Sequence, residues 1–429
     1  MIVSEQFLAP DRLFDGHTVA ERVAVAVTGD RISRVVPIAD VPSGATVVRL
    51  DGCTLGPGLI DAHLHLAPWM VFGLIAAGIT TVRDVGNDVD RVIPQLDALA
   101  HVPLPTVHWS GPLLESTKVN WPSLGRAHAT TDEVRASVDE LAARGFRSVT
   151  LYANATPELM AAAADQAHGH GMRVLGHLGA TDLDGAVAGH VDELQHFAGC
   201  LAADLGATDW LAAAGRVAEA PVDHCPTLVV WQALARLGEP RLERDEAMRW
   251  VPASTRSAWA SAYHASQPAS ERLRRLSQLL ERMTSVSTLR DAGRRLLVGS
   301  DSPFPGLVPG ASLQDEAGLL VESGMTPLEV MVGLTSGNAD IAGLPDCGSI
   351  RDGAVADLVA FRGDPTRRIA DITAVHAVWR AGQRVDVARL AEQAAAWFGS
   401  MPPSPMDDLA ERRYVPATQA SSTSTASGR

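Results

Sequence analysis

Residues 57 to 65 read Pro57-Gly58-Leu59-Ile60-Asp61-Ala62-His63-Leu64-His65, an apolar run that finishes in two histidines one residue apart. Side chains alternate faces along a strand, so His63 and His65 point one way and Leu64 the other. Two imidazoles on one face make half of a metal site. The bland alternative is a pair of incidental histidines at a strand end, and the surrounding residues decide between the two.

That context resembles the amidohydrolase superfamily, whose metal-dependent hydrolases open their barrel with PGLIDxHxH. Gly78-Ile79-Thr80-Thr81-Val82-Arg83-Asp84-Val85-Gly86 resembles the second-strand signature GxTTxRDxG. Val174-Leu175-Gly176-His177 is similar to the fifth strand, and Gly189 to His196 to the sixth, usually GxDxIxH; both end in histidine. Val222 to Leu228 is similar to the PTL-bearing seventh strand. Leu297-Val298-Gly299-Ser300-Asp301-Ser302 is similar to the eighth, GTDS, with serine for threonine. Gly348 to Val359 resembles the closing GxIxxGxxADLV. The resemblance runs from about residue 20 to 385 and lies nearest the imidazolonepropionase-like and Xaa-Pro dipeptidase-like branch.

Composition bounds the answer independently. A chain of 429 residues, 46% hydrophobic, can bury a large core and fits one barrel-sized domain plus a smaller companion. A net charge of -14 with no basic run argues against nucleic acid or an anionic membrane as partner. No basic-then-apolar leader and no bilayer-spanning run are evident, so the sequence reads as soluble and cytoplasmic. Cys53, Cys200, Cys225 and Cys347 lie far apart with no CxxC pair, which reads as buried free thiols.

The chain opens with β-rich segments, Val23 to Val27 and Val47 to Gly52. They are expected to join late strands near 354 to 361 and 374 to 385 in a composite β-sandwich built from residues 1–55 and 345–385. From 56 to 344, strands alternate with helices. Thr130 begins a capping-box pattern with Glu133, and Gly145 stops that helix. Thr156-Pro157 opens the next. Repeated eight times, the alternation predicts a closed (β/α)8 TIM barrel of the α/β class. The stretch from about 233 to 292 is helical in pattern and is expected to cover one side of the mouth. Residues 386–399 read as an amphipathic helix, and 400–429, rich in Pro, Ser and Thr, as a disordered tail.

Active sites of such barrels lie at the C-terminal strand ends. The resemblance puts His63 and His65 at the end of strand one, His177 of strand five, His196 of strand six and Asp301 of strand eight. A lone strand-end histidine is more often structural, whereas five converging ligand-type groups are not. Imidazoles with a carboxylate suit a divalent metal, Zn²⁺ first, with Mn²⁺, Fe²⁺ and Co²⁺ open. The implied chemistry is amide hydrolysis by metal-activated water, with Asp301 as ligand and general acid-base. His196 is implied either at a second metal or at the developing oxyanion. His108 and His224 fall on predicted strands three and seven, as neighbours of the ligands.

Binuclear members carry a carbamylated lysine on strand four, in a context like IKxY. Here the stretch is Val149-Thr150-Leu151-Tyr152, and threonine cannot be carbamylated. The chain has one lysine, Lys118, just past predicted strand three. Lys118 or Glu115 is the candidate for a bridging carboxylate; both also read as ordinary loop charges. One metal per chain is expected, with two as the alternative.

Trp69, Trp109, Trp121 and Trp231, with Tyr152, are expected around the barrel mouth, making an apolar pocket suited to a peptide or hydrophobic amide. Imidazolonepropionase-like members carry a glutamate three residues after the strand-five histidine; Ala180 stands there, which weakens the cyclic-amide reading. Within the branch, the amidohydrolase that trims the follower peptide in bottromycin-type natural-product pathways is a specialised possibility. From another class comes a metal-free binding protein, suggested by Thr150. A peptide or small-molecule substrate is the expected partner, and homo-oligomerisation is left open.

Overall fold

The structure, a computed structural model, describes residues 5–237, 246–264 and 268–400. Parallel strands Leu59–Leu64, Ile79–Asp84 and Thr106–Trp109 form one arc. A second parallel sheet runs in the order Gly125–Ala127, Leu113–Glu115, Ser148–Leu151, Arg173–Gly176, Glu193–Gln195 and Asp223–Cys225. The chain steps from one to the other at Ser110–Pro112, where the Ser110 N–H still donates to the Asp84 carbonyl at 2.9 Å. Helices follow the strands; Thr130 caps Thr131–Ala143, and Thr156 caps Pro157–Gly169 with Pro157 in its first turn, so sequence and structure agree at both starts.

The expected barrel is corrected to a TIM-barrel-like α/β ring whose ladders do not close. The eighth segment meets its neighbours through isolated bridges, His224 with Leu296 and Leu64 with Ser302, and through scattered backbone bonds such as Ala62 N–H to the Val298 carbonyl at 3.1 Å and Leu297 N–H to the His224 carbonyl at 2.9 Å, without a continuous ladder. A buried side chain also ties the first and eighth segments. Asn338 accepts from the Val298 N–H at 2.8 Å and donates to the carbonyls of Ile60 and Val298 at 2.9 and 2.8 Å. Its amide thus adds a side-chain bridge to the direct backbone bonds between the first and eighth segments, and helps keep their polar groups satisfied without a ladder.

Strands from both chain ends share one eight-stranded sheet, in the order Gln383–Arg384, Val375–Arg380, Leu358–Arg362, Thr46–Pro57, Gln6–Phe14, Val23–Thr28 and Arg31–Pro37, with Val19–Glu21 beside Gln6–Phe14. The expected composite of both chain ends is thus one continuous sheet. Thr46–Pro57 joins the halves, pairing with Gln6–Phe14 along most of its length and with Leu358–Arg362 at its end. Arg31 bridges Val355, and the Gly382 N–H donates to the Ala356 carbonyl at 2.9 Å, so 353–357 draws opposite edges together around a core that includes Leu8, Val25, Leu55 and Trp379. A helix spans Val387–Ser400. The expected tail beyond it lies outside the described residues. Among the described residues, no helix is long and apolar enough to cross a membrane.

Candidate active site

His63 lies within the strand Leu59–Leu64, and His65 follows it. His177 and His196 directly follow the strands Arg173–Gly176 and Glu193–Gln195. Asp301 ends the eighth segment. Gly299 lets that segment approach, because a Cβ there would stand 2.6 Å from the His63 amide nitrogen. Asp301 Oδ1 is then 3.2 Å from His63 Nε2 and 3.5 Å from His65 Nε2, and Oδ2 is 3.9 Å from His196 Nε2. Ligand atoms of His63, His196 and Asp301 lie within 4.8 Å of one another.

The backbone here is strained. Asp301, His196 and Thr227 have φ of 55°, 62° and 44°, left-handed values that non-glycine residues adopt at a penalty of roughly 1–3 kcal/mol each. Such strain persists only where surrounding structure over-determines it. The Asp301 N–H donates to the His63 carbonyl at 2.7 Å, and the His196 N–H to the Cys225 carbonyl at 2.8 Å. Arg282, on the helix Ala269–Asp291, donates to the His196 carbonyl at 2.8 Å and stacks over Trp231, 3.4 Å from the ring centroid.

Each imidazole except His177 is also held at Nδ1. His63 Nδ1 meets Gln195 Oε1 at 2.5 Å, His65 Nδ1 the Gly86 carbonyl at 2.7 Å, and His196 Nδ1 the Thr227 hydroxyl at 2.5 Å. These contacts turn the Nε2 atoms of His63, His65 and His196 toward Asp301. His177 packs its ring against Tyr152, centroids 4.4 Å apart, and its buried Nδ1 has no partner.

Charge follows burial. Burial pushes His177 down to about 4 and His196 well below the usual histidine range, so both are neutral at pH 7. Burial also works against ionised Asp301, but His196, His63 and His65 hold it well below the ordinary carboxylate range. His65 is raised, because Asp301 and Asp84 outweigh burial. Beneath lies Asp61, which accepts from the Ser300 hydroxyl at 2.6 Å and from the Ser300 N–H at 3.0 Å; burial pushes it up to about 6.

These groups floor a cleft of ≈ 840 Å³ that opens to solvent. Trp121, Tyr152 and Trp231 line it, with Leu113, Leu124 and Phe304. The Trp121 indole N–H donates to the Tyr152 hydroxyl at 3.0 Å. Two expected aromatics are elsewhere. Trp69 is fully buried against Trp259, ring centroids 6.3 Å apart. Trp109 ends its strand before the chain turns, and Leu113 beyond the turn is the residue that reaches the cleft.

Thr150 lines the cleft with a buried hydroxyl that has no partner. Neither bridging candidate lines it. Lys118 is exposed. Glu115 is buried, but its oxygens accept from the Asn120 N–H at 2.8 Å and the Asn154 side chain at 3.1 Å. His224 is buried with both ring nitrogens unpartnered, and His108 is half-buried; neither lines the cleft. Sequence reasoning missed Gln195 and Thr227. Their only signal is position, one residue before a ligand-type histidine and within the PTL stretch.

The profile of the Amidohydrolase family matches residues 54–385. The chain belongs to the amidohydrolase family. Its fold is similar to the solved structure of a bottromycin amidohydrolase, at 25% identity and TM-score 0.74, covering 91% of this chain and 89% of that one. It is also similar to a Xaa-Pro dipeptidase with bound methionine in its active site, at 21% identity and TM-score 0.67, covering 89% of this chain and 100% of that one. A. niger ochratoxinase matches at 17% identity and TM-score 0.68, covering 89% and 95%. No curated protein matches this amidohydrolase.

Divalent metals are general in this family, and the donor set fits one. Buried His63 Nε2 and His177 Nδ1 lack hydrogen-bond partners, which a cation among these groups would relieve.

Proposed function

We propose that this amidohydrolase cleaves an amide C–N bond in a peptide or hydrophobic amide, using one divalent ion, Zn²⁺ first, held by His63, His65, His177 and Asp301. In this reading residues 56–344 are the catalytic body and the chain-end sheet, 1–55 with 345–385, its companion. One observation carries it: the imidazoles of His63, His65 and His196 converge on Asp301 at the floor of an aromatic cleft, and the His177 ring lies beside that of His196, centroids 5.0 Å apart.

A bound ion supplies Lewis acidity and a water acidic enough to ionise near neutrality. The side chains do the rest. Asp301, ionised at pH 7, takes the proton at a carboxylate oxygen and delivers it to the leaving nitrogen. Neutral His196, fixed at Nδ1 by Thr227, steadies the developing oxyanion through Nε2. The indole faces and leucines exclude water and take up apolar flanks of the substrate.

The likeness to the bottromycin amidohydrolase supports a peptide substrate and a place in natural-product biosynthesis. Ala180 is exposed and offers no carboxylate, which disfavours the cyclic-amide alternative. The test pairs elemental analysis of purified protein with a panel of amides, peptides and cyclic amides, with and without a free carboxylate. Metal with hydrolysis of apolar peptides or amides is expected. Protein free of metal that binds the panel without turnover would replace this reading with a binding protein.

A further inference from the structure

We propose that Arg83 fixes the tautomer of His63 through Glu193 and Gln195, making these three residues a positioning relay for the metal ligand. All four side chains are buried. Arg83 Nη1 donates to Glu193 Oε2 at 2.9 Å and Nη2 donates to Oε1, while Nε donates to the Ala62 carbonyl at 2.8 Å, beside His63. Gln195 Nε2 donates to Glu193 Oε1 at 2.6 Å, and Gln195 Oε1 faces His63 Nδ1 at 2.5 Å.

The donor inventory makes each link directional. A guanidinium only donates, and it keeps Glu193 ionised although burial works against that charge. An ionised carboxylate only accepts, so the amide of Gln195 must turn its NH₂ toward Glu193. Its carbonyl oxygen then faces His63. Two acceptors cannot bond each other, so His63 Nδ1 carries the proton and Nε2 presents its lone pair toward Asp301. The polarity of the chain is set at Arg83, on the second barrel strand. None of these three residues belongs to the proposed ligand set, and only Gln195 lines the cleft.

The relay rests on the metal-centre reading, and its test separates the two. Zn²⁺ affinity of the full-chain apoprotein is measured by competition with a chromophoric chelator, alongside the Co²⁺ absorption spectrum and the apoprotein's melting point. Gln195→Met is expected to weaken Zn²⁺ about 10- to 100-fold, as loss of an outer partner of a ligating histidine does. The exchange Glu193→Gln with Gln195→Glu keeps the net charge and reverses the bond between the two side chains, the new amide donating to the new carboxylate; that carboxylate is an obligate acceptor for His63 Nδ1, so affinity should return to within about threefold of wild type, with a wild-type Co²⁺ spectrum. Should Gln195→Met not fold, Glu193→Gln takes its place, with the same weakening expected and the same cure. A merely structural network would lower the melting point without moving affinity. The relay is overturned by Zn²⁺ affinity within threefold of wild type in the single variant, or by an exchange as weak as the single. Wild-type apoprotein that binds no Zn²⁺ removes the metal-centre reading itself.

Discussion

Asp301 Oδ1 stands 3.2 Å from His63 Nε2, joining the end of the eighth barrel segment to that of the first. Only Gly299 permits this approach, since any side chain there would strike the His63 backbone. The carboxylate therefore faces three imidazoles at once.

Asp301→Asn should lower kcat about 100-fold or more while keeping substantial metal, because an amide still offers an oxygen but cannot shuttle a proton. Steady-state rates beside metal content check this. Near wild-type turnover would show that the proton is handled elsewhere.

His65→Ala should strip the metal and abolish hydrolysis while leaving the apoprotein folded, since His65 is half-buried at the mouth and outside the core layers. His63→Ala should do the same but also lose about 1–3 kcal/mol of stability, because it orphans the buried Gln195 oxygen. Metal analysis and denaturant melts separate the effects. Activity kept at unchanged metal content in either variant would end the ligand assignment.

The histidines and Asp301 were legible in the sequence because each sits at the end of a short apolar run within a recognisable signature. What the signatures do not encode is which side chain turns each ring. Gln195 and Thr227 act through hydrogen bonds made only once separate strands are neighbours. Trp69 shows the same limit for packing. It follows His65 by four residues, yet its indole faces Trp259. In the fold, the capped helix starts were readable from local sequence, whereas the break after Trp109 and the Asn338 bridge depend on tertiary contact.

Asn338→Ala should cost about 3 kcal/mol, since it leaves the Val298 N–H and the Ile60 carbonyl in a dry interior without partners. Asn338→Asp should be destabilising too, because a carboxylate cannot donate to those carbonyls. Urea denaturation of the apoprotein measures both. A change within 0.5 kcal/mol (about the size of a neutral surface substitution) would show the two segments pairing without the amide.

Glu316 is buried, and burial pushes its carboxyl up to about 8 although the Leu228 and Val229 N–H groups favour its charge. The folded state thus holds a proton that the unfolded state releases near 4.5. Stability from this group is complete below the unfolded value and declines as pH rises through about 8. Glu316→Gln should flatten that decline and stabilise the protein at pH 8 on the order of a few kcal/mol relative to wild type. Melting points from pH 5 to 9 test it, and parallel curves would refute it.

Metal count is the most exposed prediction, because it turns on one absent side chain. A carbamate bridge needs a neutral, sheltered lysine amine that has taken up carbon dioxide. At the strand-four position the cleft offers only the hydroxyl of Thr150. The sole lysine, Lys118, is exposed, and Glu115 is committed to loop amides. One tightly held metal per chain is expected, Lys118→Ala should keep most activity, and bicarbonate should not alter reconstitution. Thr150→Val, which removes an unpartnered buried hydroxyl, should leave the apoprotein at least as stable as wild type. Elemental analysis giving two metals per chain, one of them lost in Lys118→Ala, would make Lys118 the bridge and require its loop to close over the cleft.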